Sequence, residues 1–202
     1  VDALKVLQLE AETIWPPVDG GLGDATIAVT AVTYDGQSIT ITGATLLAPD
    51  SAIGVSIARC WLLESTTSYS VPPGLRLVST AGSYRPPSGW SAEEWDSLMN
   101  GDQGPWVALV EGEQVLSLAH CARLTDRAAE VGVQTEDQAR GRGLASVTVL
   151  AWTERMRHWD LTLLYSAFEA NRASHRVAAK CQATPLGRLT RVFAEPSSAE
   201  AG

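Results

Sequence analysis

Glu130-Val131-Gly132-Val133-Gln134-Thr135, then a short polar bend, then Arg140-Gly141-Arg142-Gly143-Leu144-Ala145, then an apolar helical pattern to about His158, is the stretch that decides the fold. It has the form of a strand, a tight glycine turn and the N-terminus of a helix. The first amides of a helix lack intrahelical partners, and the macrodipole places partial positive charge there. Such a turn binds anions. Glycine lets a phosphate approach the backbone, because there is no Cβ in the way. Arg140 and Arg142 add formal charge. The reading is a phosphate-bearing cofactor seated at this turn.

The spacing narrows the cofactor. Gly-x-Gly-x-x-Gly is absent from the turn, which excludes the dinucleotide fingerprint, and so is the Gly-x4-Gly-Lys-Ser/Thr loop of nucleotide triphosphatases. Arg140-x-x-Gly143-x-Ala145 does fit Arg/Gln-x-x-Gly-x-Gly/Ala. The neighbours follow in a fixed order: a strand before it (130–135), a helix after it (about 142–158), an apolar strand Leu161–Ala167, and a second helix opened by Asn171-Arg-Ala-Ser174. In this motif and order the chain resembles the GNAT superfamily of acyl-CoA-dependent N-acetyltransferases. The resemblance is specific over about 105–192. Upstream, Gly82-Ser-Tyr84-Arg-Pro-Pro is similar to a linker of a longer-chain branch.

That resemblance implies an α/β (α+β) fold, a mixed and mostly antiparallel sheet flanked by helices on both faces, with an N-terminal β-rich extension. It implies acetyl-CoA as co-substrate and a small-molecule or peptide amine as acceptor, with direct attack in a ternary complex. A non-catalytic acyl-CoA sensor or interaction module is the alternative. The backbone of Val133, Gln134 and Thr135 should line the pantetheine arm. The amides of Arg140, Gly141, Arg142, Gly143, Leu144 and Ala145 should hold the pyrophosphate. Asn171 and Ser174 match positions that contact the arm, although Asn171 also sits where a helix needs an N-cap. Ala129-Glu130-Val131-Gly132 is similar to the Ala-Glu-Ile-Gly of the ribosomal-protein-alanine acetyltransferases, which makes Glu130 the first candidate base. Its alternative roles are anchoring the substrate ammonium or a structural hydrogen bond. The pattern departs from the family at Ala178, where many members carry a tyrosine acid, and at Gln182-Ala183, where Gly-Phe is usual. Tyr165 is the candidate substitute acid.

His120 is the second candidate base, at the end of a strand and needing little tuning to act near neutral pH, with a surface or cap histidine as the favoured alternative. His158 and His175 are expected on helices in structural roles. Arg172, Arg176 and Lys180 recur at i, i+4 and i+8, either a basic face for CoA or a solvated one. Trp90, Trp95 and Trp106 are assigned to core packing ahead of an aromatic acceptor pocket.

The chain has 202 residues, 45% hydrophobic and 19% charged, with net charge −8. A nucleic-acid binder would need a basic face, so nucleic acid is excluded as a partner. Acidity suits a cationic amine, or serves solubility alone. Cys60, Cys121 and Cys181 lack metal-ligand spacing, so no metal is expected and reduced thiols in the cytoplasm are. No apolar run is long enough for a membrane helix, so no membrane partner is expected. A homodimer is left open.

Along the chain, 1–15 reads as an amphipathic helix ending before Pro16-Pro17, and 19–24 as a loop. Alternating apolar residues on either side of Asp35-Gly36 predict a β-hairpin. Ile53–Leu63 reads as a strand and 66–87 as a connector. Ser91-Ala-Glu-Glu94 predicts a capping box and a helix ending near Asn100-Gly101. Trp106–Val110 and Val115–Cys121 read as a hairpin, and Leu186–Phe193 as a last strand. The domains are expected at 1–80 for the extension, 81–195 for the acetyltransferase domain and 196–202 for a disordered tail.

Overall fold

A computed structural model of the chain describes residues 2–14, 17–18, 21–22, 26–42, 53–64 and 67–194. In chain order these form α1 (Ala3–Ile14), β1 (Pro17–Val18), β2 (Gly21–Leu22), β3 (Thr26–Thr33), β4 (Ser38–Thr42), β5 (Ile53–Leu62) and β6 (Arg76–Val78). Then follow α2 (Ala92–Asn100), β7 (Val107–Glu111), β8 (Gln114–Leu124), β9 (Ala128–Thr135), α3 (Leu144–Met156), β10 (Thr162–Phe168), α4 (Arg172–Lys180) and β11 (Thr184–Ala194). The expected tail lies outside the described residues, as does the loop at 19–24 apart from Gly21–Leu22, which pairs with Pro17–Val18.

The chain divides into two compact units. One takes the described residues of Val1–Trp61, Ser166–Arg172 and Pro185–Gly202; the other is Leu62–Tyr165 with Ala173–Thr184. In the first, β3 and β4 form the hairpin that Asp35-Gly36 predicts. Gly36 takes φ +89°, and its amide donates to the Thr33 carbonyl. β11 lies antiparallel on the other edge of β3, from Gly187 opposite Thr33 to Phe193 opposite Thr26. α1 covers β3, with Leu7, Ala11 and Val29 fully buried.

The second unit is built on β6 to β10. β6, β7, β8 and β9 run antiparallel in sequence, and β10 joins β9 in parallel, which makes the sheet mixed. Strand side chains alternate between faces, and a helix covers each. On one face Trp95 and Leu98 of α2 pack with Trp106, Ala108, Val110, Val115 and Leu118, and Trp90 leans on them from the edge. On the other, Leu144 and Val147 of α3 pack with Leu109 and Leu116. The tryptophans thus serve the core. Ser91 caps α2 as predicted: its hydroxyl accepts from the Glu94 amide, and the Glu94 carboxylate accepts from the Ser91 amide. Gly101, left-handed at φ +85°, ends the helix.

Two expectations are corrected here. The segment 66–87 is more than a connector, since β6 lies within it and Leu75 and Leu77 enter the α3-side core. Helix α3 stops at Met156, so His158 lies beyond it and is exposed. No described helix is long and apolar enough to cross a membrane.

Candidate active site

β9 and β10 part company at one point. Their pairing runs through Thr162–Ala128, Leu163–Ala129 and Leu164–Glu130, whereas β9 itself continues to Thr135 and β10 to Phe168. β9 keeps its other neighbour throughout, from Leu124 opposite Ala129 to Ser117 opposite Thr135. Beyond Glu130, one edge of β9 therefore has no strand partner among the described residues over Val131–Thr135. Backbone groups along such an edge need another partner. The side chains here are already committed. The Thr135 hydroxyl lies 2.9 Å from that of Ser117, which lies 3.1 Å from that of Thr148 on α3. Gln134 accepts from the Trp90 indole at 2.8 Å and donates to the Ser88 carbonyl. What Val133, Gln134 and Thr135 have to offer is main chain.

That edge leads to the glycine turn. A 3-10 turn over Asp137–Ala139 ends at Arg140, and Gly141 and Gly143 follow at φ +78° and +80°. Only glycine takes this conformation readily. A Cβ on Gly141 would meet nothing within 4 Å, so the space above the turn is open. Gly143 is the N-cap of α3, without a side-chain cap and with no acidic residue in the first turn. The orphan amides and the dipole are left for an external anion. The cations sort themselves. Arg140 is held by Asp137 at 2.7 Å and by the Thr135 carbonyl, which makes it a brace of the turn. Lys180, at the end of α4, brings its ammonium within 3.6 Å of where a Gly143 Cβ would stand. Leu144 is buried and anchors the helix, and Ala145 follows, half-buried.

The two candidate bases share the α2 face. His120 stands directly opposite Gly132, and Glu130, 9% exposed, is two residues along on the same side of β9. A Cβ on Gly132 would come within 2.7 Å of the His120 Nε2, so the imidazole lies across the bare glycine. The Trp90 ring meets it edge-on at 5.2 Å. Burial holds His120 below the ordinary imidazole value, a backbone contact with Cys121 acting weakly against it. The contacts of Gly132 and Trp90 with His120 are not evident from motif spacing. The available signal was an isolated glycine within a strand, which marks a close approach.

Tyr165 is the first residue of β10 past the last paired position and takes the opposite face. It is 2% exposed. Burial pushes its phenol up to about 12, against a hydrogen bond with Ser174. Ser174, Ala178 and Cys181 recur at i, i+4 and i+7 along α4, and Tyr165 interacts with the first and the last. Asn171 immediately precedes α4, and its amide donates to the Phe168 carbonyl at 2.8 Å. Arg172 and Arg176 are exposed.

These features define an α/β protein with a parted strand pair beside an open, uncapped glycine turn. The profile of the Acetyltransferase (GNAT) family matches residues 72–182, more than half of the chain, and the protein belongs to that family. Its fold is similar to a protein from Novosphingobium aromaticivorans assigned to the GNAT family, with TM-score 0.53 and 15% identity over 75% of this chain and 71% of that one. It is also similar to a GNAT-family acetyltransferase from Colwellia psychrerythraea, with TM-score 0.52 and 17% identity over 72% and 58%. A Drosophila protein superposes with TM-score 0.58 and 13% identity over 73% and 54%. The chain thus spans less than two thirds of the Colwellia and Drosophila proteins. No curated protein sequence matches it.

Proposed function

We propose that this protein transfers an acetyl group from acetyl-CoA to a primary amine of a small molecule or peptide, by direct attack in a ternary complex. The supporting observation is the fork: an edge of β9 with no strand partner among the described residues leads from Glu130 to an open, uncapped glycine turn. A pantetheine arm offers amide groups to pair with such an edge, and a diphosphate suits the turn. Val133, Gln134 and Thr135 would line the arm through their backbone. Residues 140–145 would hold the diphosphate, with charge from Arg142 and Lys180, and Asn171 and Ser174 would meet the arm. Glu130 and His120 face the acceptor side, and Tyr165 stands across the sheet as proton donor to the departing thiolate. Cys121 and Cys181 are buried, and burial pushes their thiols up to about 11 and 12. Thiols neutral at pH 7 are poor nucleophiles, which favours direct attack over a covalent route. The setting proposed is the cytoplasm, with residues 1–80 as an accessory β-rich segment and 81–195 as the transferase domain.

Calorimetric titration of acetyl-CoA tests the donor site. Micromolar binding is expected for the wild type, and its loss for Gly143→Val, whose side chain occupies the phosphate seat. Thermal melting of the variant separates loss of the site from loss of the fold, because valine is strained at φ +80°. Absence of wild-type binding would remove the donor assignment. Binding without CoA release to any amine would favour a sensor module, the second reading that Ala178 supports.

A further inference from the structure

We propose that His120 takes the proton from the acceptor amine, that Gly132 and Trp90 position its imidazole, and that Glu130 beside it receives the amine as an ammonium ion. This rests on the acetyltransferase reading above. His120 is built in rather than merely present. It stands opposite the one residue of β9 without a Cβ, and any side chain there would meet its Nε2 at 2.7 Å. The Trp90 ring packs nearly perpendicular to it, with ring centroids 5.2 Å apart at 77°. Trp90 is fixed in turn: its indole donates to Gln134, and Gln134 and Glu136 of the β9 end both hold Ser88 two residues before it. The His120 Nδ1 is sealed from solvent, whereas Nε2 lies over Gly132, and Nε2 is the nitrogen assigned to exchange a proton.

The division of labour follows from charge. A carboxylate beside an ammonium ion stabilises the charged form and opposes its deprotonation, whereas a neutral imidazole does not. Glu130 thus suits capture and His120 suits the transfer. The other titratable groups on the elements around His120 do not compete. Arg123, on the same strand, donates to the Ala122 carbonyl. Glu93, Glu94 and Asp96 of α2 are exposed, and Tyr84 packs into the α2-side core. In the step itself, Nε2 accepts a proton from the amine nitrogen. The nitrogen lone pair bonds to the thioester carbonyl carbon, the carbon–sulfur bond breaks, the sulfur leaves with its electron pair, and the second proton of the attacking nitrogen passes to the departing sulfur, so that amide and neutral thiol are the products.

The test is the pH dependence of kcat from pH 5 to 9. The donor is acetyl-CoA, and the acceptor is the best of n-butylamine, benzylamine, tyramine, spermidine and an alanyl tripeptide. Wild-type kcat should rise through an apparent pKa below the ordinary imidazole value and then level. His120→Gln should lose that limb and fall about 10²-fold or more. Glu130→Gln should keep the limb and raise the KM for the amine. Gly132→Ala, which fills the imidazole's seat, should lower kcat about tenfold. Added imidazole should restore turnover to His120→Ala, a response no structural role would give. A wild-type limb in His120→Gln, or wild-type kcat in Gly132→Ala, overturns the proposal. A limb lost in Glu130→Gln instead makes the carboxylate the base. If the wild type binds acetyl-CoA but acetylates none of the panel, the acetyltransferase reading falls and takes this one with it.

Discussion

Tyr165 carries a phenol whose burial pushes it up to about 12, so it keeps its proton at every pH the enzyme meets. That is a drawback for a strong acid and no drawback for a hydrogen-bond donor to a developing thiolate. Ala178, where many family members carry a tyrosine, is 1% exposed. On the reading proposed above, the aromatic hydroxyl would come from β10 instead of α4. A thiolate of CoA leaves tolerably well unaided, so the contribution should be modest. Tyr165→Phe should lower kcat about tenfold, less than the roughly 10²-fold or more of a full general acid, and leave acetyl-CoA affinity within about twofold. Stopped-time assays of thiol release with calorimetry on the same variant check both. An unchanged kcat would leave the phenol a purely structural group, bonded to Ser174.

Elements were legible where their signals are local. Asp35-Gly36 makes the β3–β4 turn, and Ser91-x-x-Glu94 makes both bonds of the capping box. Gly141 and Gly143 take the left-handed geometry their turn requires. The same box sets a testable increment. Ser91→Ala removes the acceptor for the Glu94 amide and should cost about 1 kcal/mol in urea denaturation, seen as a lower midpoint at unchanged slope. No change would mean that Trp95 and Leu98 alone hold α2 in place. Contacts distant in sequence were not legible. Nothing near Gly187 announces that its strand lies against Thr33, and nothing near Arg76 announces an edge strand inside a Ser/Pro/Gly-rich segment. The site shows the same division. The turn was read from its motif, but the seat of His120 on Gly132 depends on the register of two strands, which composition does not specify. Arg140 was read as a phosphate cation; its exposed ion pair with Asp137, three residues earlier across the 3-10 turn, is a contact that the motif does not announce.

At the scale of the whole molecule, ionisable groups buried around the site set a pH window for stability. On the acid side, His120 is held below the ordinary imidazole value by burial, so the native chain binds fewer protons than the unfolded one. Stability contributed there is present above pH 6.5 and lost as pH falls through the folded value. On the alkaline side the sign reverses. Cys121 and Cys181 rise from 9.0 to about 11 and about 12, and Tyr165 from 10.0 to about 12. Above pH 9 the unfolded chain gives up protons that the native chain keeps, so unfolding gains about 1.4 kcal/mol per pH unit for each such group. Two thiols then give a slope of about 2.7 kcal/mol per unit between pH 10 and 11, with Tyr165 adding to it. Growing net negative charge, already −8 at pH 7, acts in the same direction on any variant. The thiol contribution is isolated by difference. Urea unfolding free energies of the reduced protein should fall steeply above pH 9, and the Cys121→Ala/Cys181→Ala protein, though less stable at pH 8, should fall less steeply. Parallel slopes in the two proteins would mean that both thiols titrate freely in the native state. Accessible thiolates near the fork would then reopen a covalent route for the acetyl group.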